Sequence, residues 1–174
     1  MNVIFLDYDG PLFTFSDASY DALERRIKTL ADICHSYDCK VVVSSAHKDK
    51  IDNETLEPLN DLNRNVLTLF KKYGIDFIGK TPEVGKKTGK SSYAESWKEY
   101  EIIRYLTTHP EVEHYCIIDD DTNNISASDL NMVRSHLVKV SPLEDDKTKE
   151  GLLPSHKEQV KEVLELDNDY KLRL

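Results

Sequence analysis

Val3-Ile4-Phe5-Leu6-Asp7-Tyr8-Asp9-Gly10-Pro11 is the stretch from which the fold is read. Four apolar residues, rich in strand formers, run without a polar interruption. That is the pattern of a strand buried on both faces, as in a parallel sheet. Asp9-Gly10-Pro11 then supplies turn residues that close it, and two aspartates two positions apart sit where it ends. Downstream, Ser16 or Asp17 can cap a helix whose apolar residues Leu23, Ile27, Leu30 and Cys34 recur at intervals of three and four. Lys40-Val41-Val42-Val43 follows as a second β-branched run and ends in Ser44-Ser45. Strand, helix and strand make a right-handed βαβ unit.

The alternation continues along the chain. A helical pattern runs through Leu56, Leu59, Leu62, Val66, Leu69 and Phe70, with Lys71 and Lys72 in its last turn and Gly74 as its C-cap. Ile75 to Ile78 is a short strand. Gly79 to Ser92 has no periodicity and reads as an exposed loop. Ser96-Trp97-Lys98-Glu99 fits a capping box, which puts Lys98 in the first turn of a helix carrying Ile102, Ile103 and Leu106 and stopped by Pro110. Tyr115-Cys116-Ile117-Ile118 is another buried strand running into Asp119-Asp120-Asp121. Leu137 to Val140 is the last strand, and Ser155 opens a terminal helix with Val160, Val163 and Leu164 on one side. This order predicts an α/β, doubly wound, three-layer (α/β/α) Rossmann-like fold with a mainly parallel sheet.

The 174 residues fit one domain with a proper core. With 39% hydrophobic and 32% charged residues the chain is too apolar for a disordered one. A net charge of -9 repels polyanions, so non-specific nucleic-acid binding is disfavoured. A local exception is the run Lys80, Lys86, Lys87, Lys90 and Lys98 with Tyr93 and Trp97 between, which reads first as a solvated loop and second as a ligand surface. Cys34, Cys39 and Cys116 form neither a C-x-x-C pair nor a zinc pattern and read as buried thiols in a reducing compartment. The apolar run Val3 to Leu6 is too short for a signal or a membrane span. These features place the protein in the cytoplasm, away from membranes.

Four polar clusters fall at strand ends or at a helix start: Asp7 and Asp9, Ser44 and Ser45, Lys98, and Asp119 to Asp121. In open α/β sheets ligands bind at the carboxyl edge of the strands, so these distant residues converge into one site. A carboxylate and a phosphate monoester repel each other. Attack by Asp7 on phosphorus therefore needs a divalent cation between them, and magnesium suits an all-oxygen ligand set drawn from Asp7, Asp9, Asp119, Asp120 and Asp121. Ser44 offers a hydroxyl and Lys98 a positive charge to the transferring oxygens. Ser45 and Gly10 join them as phosphate-binding residues. Asp9 can protonate the leaving oxygen and later deprotonate water. Three adjacent like charges at the end of a buried strand also favour a metal.

The motifs FLDYDG, VVVSS, a lysine at a helix start and IIDDD resemble, in their usual order, the four motifs of the haloacid dehalogenase (HAD) superfamily of phosphohydrolases. The resemblance spans residues 3 to about 124. It implies a nucleophile at Asp7, an acid/base at Asp9, a hydroxyl ligand at Ser44, a basic residue at Lys98 and a metal-binding acid at Asp120, with Asp119 and Asp121 beside it. Asn124 stands where many members carry a further acid, so Asp119 or Asp121 takes that role. Lys86, Lys87 and Lys90 compete with Lys98, which is preferred for its helix-start position and its spacing ahead of Asp119.

More narrowly, the runs SSAHK, HPEVEHYCIIDDD and GLLPSH look like a small, nearly capless branch associated with bacterial and phage RNA-repair proteins. That branch shows Trp-Arg where this chain has His47-Lys48. Residues 12–39 leave no room for a large cap between the first two motifs, and a helix and loop fill the insert at about 46–97. The open site implied is one that admits a nucleotide, a nucleic-acid end or a phosphoprotein.

Three other readings share parts of the pattern. A small nucleotidase or sugar phosphatase fits the acidic charge. A phospho-accepting receiver module also places acids, Ser/Thr and Lys at strand ends, but its acceptor aspartate sits on a middle strand and its first strand ends in adjacent acids. A non-catalytic, metal-binding interaction domain would keep the same residues without turnover.

Overall fold

Five parallel strands form the central sheet of the computed structural model, which describes residues 1–84 and 98–166. They are β1 (Asn2–Leu6), β2 (Cys39–Val43), β3 (Phe77–Lys80), β4 (His114–Asp119) and β5 (Leu137–Lys139), in the order β3-β2-β1-β4-β5. Helices α1 (Tyr20–Tyr37), α2 (Asp61–Lys72), α3 (Lys98–Thr108), α4 (Asn131–Arg134) and α5 (His156–Leu164) connect and follow them.

The apolar runs at the centre of the sheet are continuous because both of its faces are covered, and the two-residue period of a strand sorts them. Ile4, Leu6, Val41, Val43, Cys116, Ile118 and Val138 join the α1, α2 and α5 residues Leu23, Ile27, Val66, Phe70 and Val160 in one core. Val3, Phe5, Val42, Tyr115 and Ile117 face the other way and pack with Ile102, Tyr105 and Leu106 of α3 and with Val133. Burying each such large side chain contributes about 1.5–3 kcal/mol. The result is the three-layer, doubly wound α/β architecture predicted from the sequence.

Register carries the site. Leu6 is level with Val43 on one side and Ile118 on the other. One residue further on, Asp7 N donates to Ile118 O at 2.9 Å and Ser44 N donates to Leu6 O at 2.8 Å. The chain winds outward from β1 through β2 to β3, then returns to the far side of β1 with β4. Asp7 and Asp119 therefore flank the point where the strand order reverses, the crevice at which open sheets bind ligands.

Several elements differ in detail from the sequence reading. Neither Ser16 nor Asp17 caps α1. Ser19 does, accepting from Ala22 N, while Asp17 accepts from Ser19 and the Ser16 hydroxyl donates to Glu150. Helix α2 begins at Asp61 with Asn60 as its cap, so Leu56 and Leu59 precede it; Leu56 has a φ of 59°, outside any helix. β3 lies two residues later than expected, so Gly79 and Lys80 belong to the sheet and not to a loop. Ser96, Trp97 and the stretch 85–92 lie outside the described residues. Of the basic run, Lys80 is half-buried, its Nζ donating to Lys48 O at 2.9 Å and to Ile51 O, and Lys98 is buried. All three cysteines are free and buried. Among the described residues no helix is long and apolar enough to cross a membrane.

Candidate active site

The loop after β1 is pinned before it reaches the site. Leu12 N and Phe13 N both donate to Tyr8 O at 2.9 Å. Arg26 of α1 reaches in from below, donating to Leu12 O at 2.8 Å, Asp17 O at 2.9 Å and Thr14 Oγ1 at 3.0 Å. This fixed loop aims Asp7 into the crevice and leaves Asp9 at its exposed rim.

Asp7 is buried and held at both oxygens. Oδ1 accepts from Tyr8 N at 2.7 Å, and Oδ2 accepts from Lys98 Nζ at 2.8 Å. The same ammonium donates to Asp119 Oδ2 at 2.5 Å, and Asp119 Oδ1 accepts from Asp121 N at 2.8 Å. Lys98 therefore bridges the ends of β1 and β4. Burial works against its charge, but Asp7 and Asp119 outweigh it and raise its pKa, which keeps the amine protonated. Asp119 is raised by burial and by its neighbour Asp7, against the pull of Lys98.

Asp120 completes the group. One carboxylate oxygen from each of Asp7, Asp119 and Asp120 lies within 4.8 Å of the other two. Thr122 donates to Asp120 Oδ1 through its N–H at 3.1 Å and its hydroxyl at 3.0 Å, while Oδ2 accepts no hydrogen bond among the described residues. Desolvation raises the pKa of Asp120. Three buried carboxylates thus face one ammonium. Such a charge excess among buried carboxylates is costly unless a proton or a cation offsets it, and an all-oxygen ligand set fits magnesium.

The remaining predicted residues divide. Ser44 Oγ is buried just past the end of β2 and has no hydrogen-bond partner among the described residues. Ser45 instead caps the 3-10 turn Ala46–Lys50, accepting from His47 N at 3.3 Å. Asp121 turns away: with φ at 67°, its carboxylate accepts from Ser126 N at 2.9 Å, Ser126 Oγ at 2.5 Å and Lys139 Nζ at 3.2 Å. Burial opposes its ionised form, but these donors hold its pKa below the usual value. Asp9 also lies outside the cluster of three. Lys86, Lys87 and Lys90 fall outside the described residues.

Two contacts had not been foreseen. His47 Nε2 lies 3.3 Å from Asp9 Oδ2, its ring nearly parallel to that of Tyr8. Lys48, the next residue, is buried against Glu101 and Thr81. Both join residues far apart in the sequence, 38 and 53 positions, so no local pattern pointed to them.

A family model described as the HAD domain in Swiss Army Knife RNA repair proteins matches residues 3–147. No curated protein matches the chain.

Proposed function

Because the chain belongs to the HAD domains of Swiss Army Knife RNA repair proteins, a family that points to phosphatase-type hydrolysis, we propose that it is a magnesium-dependent phosphomonoester hydrolase with an aspartyl-phosphate intermediate on Asp7. The observation that carries this reading is the double contact of Lys98 with Asp7 and Asp119, beside the free oxygen of Asp120.

In the reading proposed, a carboxylate oxygen of Asp7 attacks phosphorus while the ester P–O bond breaks, and Asp9 gives its proton to the departing oxygen. Water then attacks the phosphorus of the aspartyl phosphate and yields a proton to Asp9. The P–O bond to Asp7 breaks, inorganic phosphate leaves, and both aspartates are restored. Asp7, Asp119 and Asp120 would hold magnesium, which when bound neutralises the charge between nucleophile and phosphoryl oxygens. Lys98 holds the Asp7 carboxylate in place and, with the Ser44 hydroxyl, would face the charge that builds on those oxygens. Asp9 is suited to its role by position: exposed at the rim, it can reach a leaving group and bulk water.

The substrate proposed is a phosphorylated nucleic-acid end or nucleotide. A cavity of about 730 Å³ opens beyond the 3-10 turn that carries His47, and its lining mixes Lys80, Arg104 and His109 with Asp49, Glu54 and Glu83. The description of the family as RNA repair proteins supports this substrate class.

Purified protein with magnesium is expected to release product from p-nitrophenyl phosphate, and Asp7→Asn to abolish release. Comparing 5'- and 3'-phosphorylated oligonucleotides with mononucleotides, sugar phosphates and phosphopeptides assigns the substrate. A preference for phosphopeptides or sugar phosphates would overturn the nucleic-acid assignment. Activity surviving Asp7→Asn would remove the nucleophile.

A further inference from the structure

We propose that the buried Lys48–Glu101 ion pair is a positioning bridge, which sets the rotation of α3 so that Lys98 stands between Asp7 and Asp119; the inference rests on the phosphatase reading above for its kinetic consequence.

Neither side chain is placed where charge is comfortable. Lys48 is 8% exposed and Glu101 13%. The ammonium donates to the Glu101 carboxylate and, at 3.2 Å, to Thr81 Oγ1. Desolvation lowers the Lys48 pKa in spite of Glu101. An apolar pair of similar volume often stabilises such a position as well as or better than an ion pair does. A role in stability alone therefore does not account for two charges here.

Geometry supplies another. Lys98 and Glu101 lie three residues apart on α3, so they share a face. Lys98 reaches the ends of β1 and β4, while Glu101 reaches the 3-10 turn that follows β2. Lys98 lies in the first described turn of α3, and contacts from that turn to other elements hold its orientation. Glu99 accepts from the Ser128 hydroxyl on the other side of the same turn, and Glu101 supplies the second anchor.

The far end of the bridge is rigid. Lys48 N donates to Ser45 O at 3.1 Å, and Lys48 O accepts from Lys80 Nζ at 2.9 Å. Thr81 N donates to Val43 O at 3.0 Å. A continuous hydrogen-bonded path thus runs from the end of β2, through Lys48 and Glu101, to the turn of α3 that carries Lys98. Neither Lys48 nor Glu101 reaches the three carboxylates, so their effect passes through Lys98.

The test is the double variant Lys48→Met/Glu101→Leu, which removes both charges and keeps the volume. Its kcat on p-nitrophenyl phosphate with magnesium should fall about tenfold or more, the scale expected when a group is misplaced, with KM changed less than about twofold. Lys48→Arg, which can still pair with Glu101, should keep kcat near wild type. The second readout is independent of turnover: the ¹⁵N resonance of the Lys98 ammonium, assigned with Lys98→Met, should shift and exchange faster in the double variant. If the double variant does not fold, Glu101→Gln, which preserves shape and an acceptor, carries both readouts. An unchanged kcat together with an unchanged Lys98 resonance overturns the bridge. Wild-type protein inert on every phosphoester would overturn the phosphatase reading instead, and the resonance alone would then decide the bridge.

Discussion

Gly10 and Asp120 approach so closely that a Cβ on Gly10 would stand 2.4 Å from the Asp120 Cβ. Gly10 also has a φ of 91°, a conformation that side chains rarely adopt. The loop after β1 is thus seated directly against the loop after β4, and the absence of a side chain at position 10 sets how near Asp7 and Asp120 can come. Gly10→Ala is expected to lower kcat by about a hundredfold, as misplacement of about 1 Å can, and to lower the melting temperature. An alanine variant with wild-type turnover would show that this contact does not set the carboxylate spacing.

Among the described residues, Lys98 is the one ammonium shared by two buried carboxylates. Removing one partner of a buried ion pair leaves uncompensated charge and costs about 3–5 kcal/mol. Lys98→Met should lose stability on that scale in urea unfolding, and magnesium should restore part of it. A variant as stable as wild type without metal would mean that the Lys98 contacts with Asp7 and Asp119 do not stabilise the fold.

The carboxylate cluster should show itself by linkage. A ligand that binds only the folded state at a hundred times its Kd stabilises by about 2.7 kcal/mol, or about 5–10 °C for a chain of this length. Magnesium should raise the melting temperature on that scale, and Asp120→Asn should abolish the rise. A rise that persists in Asp120→Asn would place the cation elsewhere.

The thiols give a pH prediction remote from the site. Burial, then Asp38, pushes Cys39 up to about 12, and burial raises Cys34 and Cys116 as well. The folded chain therefore holds its thiol protons more tightly than the unfolded chain does. That contribution is fully present below the ordinary value of 9.0 and is lost as pH rises from there towards 12. All three cysteines should resist a thiol reagent at pH 8 until urea unfolds the protein. Above pH 9 stability should fall less steeply in Cys39→Ala than in wild type. Rapid labelling of the native protein would contradict their burial.

What the sequence showed of the fold follows from burial. β1, β2 and β4 are covered on both faces, so Val3 to Leu6, Val41 to Val43 and Tyr115 to Ile118 stand out as unbroken apolar runs. β3 is an edge strand with one neighbour, and pairing of Gly79 and Lys80 with Val42 and Val43 places it, against the local propensity of those two residues. Leu56 and Leu59 match a helical period by spacing alone, but Asn60 caps α2 behind them.

The site divides in the same way. Asp7, Ser44, Lys98 and Asp119 were legible because each attaches to the end or start of a recognisable element. The separation of Asp121 from Asp119 and Asp120 was not, since a single positive φ decides where its carboxylate points. His47 with Asp9 and Lys48 with Glu101 are 38 and 53 residues apart in sequence. Lys and Glu are also residue types that ordinarily face solvent, so nothing local marked the pair as buried.

The central claim is that phosphorus becomes covalently attached to Asp7. Acid-quenching Asp9→Asn during turnover, when loss of the proposed base slows hydrolysis of the intermediate, followed by peptide mass spectrometry, measures this directly. A hydroxylamine-labile phosphate on the peptide containing Asp7 is the predicted result. Product release with that peptide unmodified, or with phosphate attached elsewhere, would contradict it.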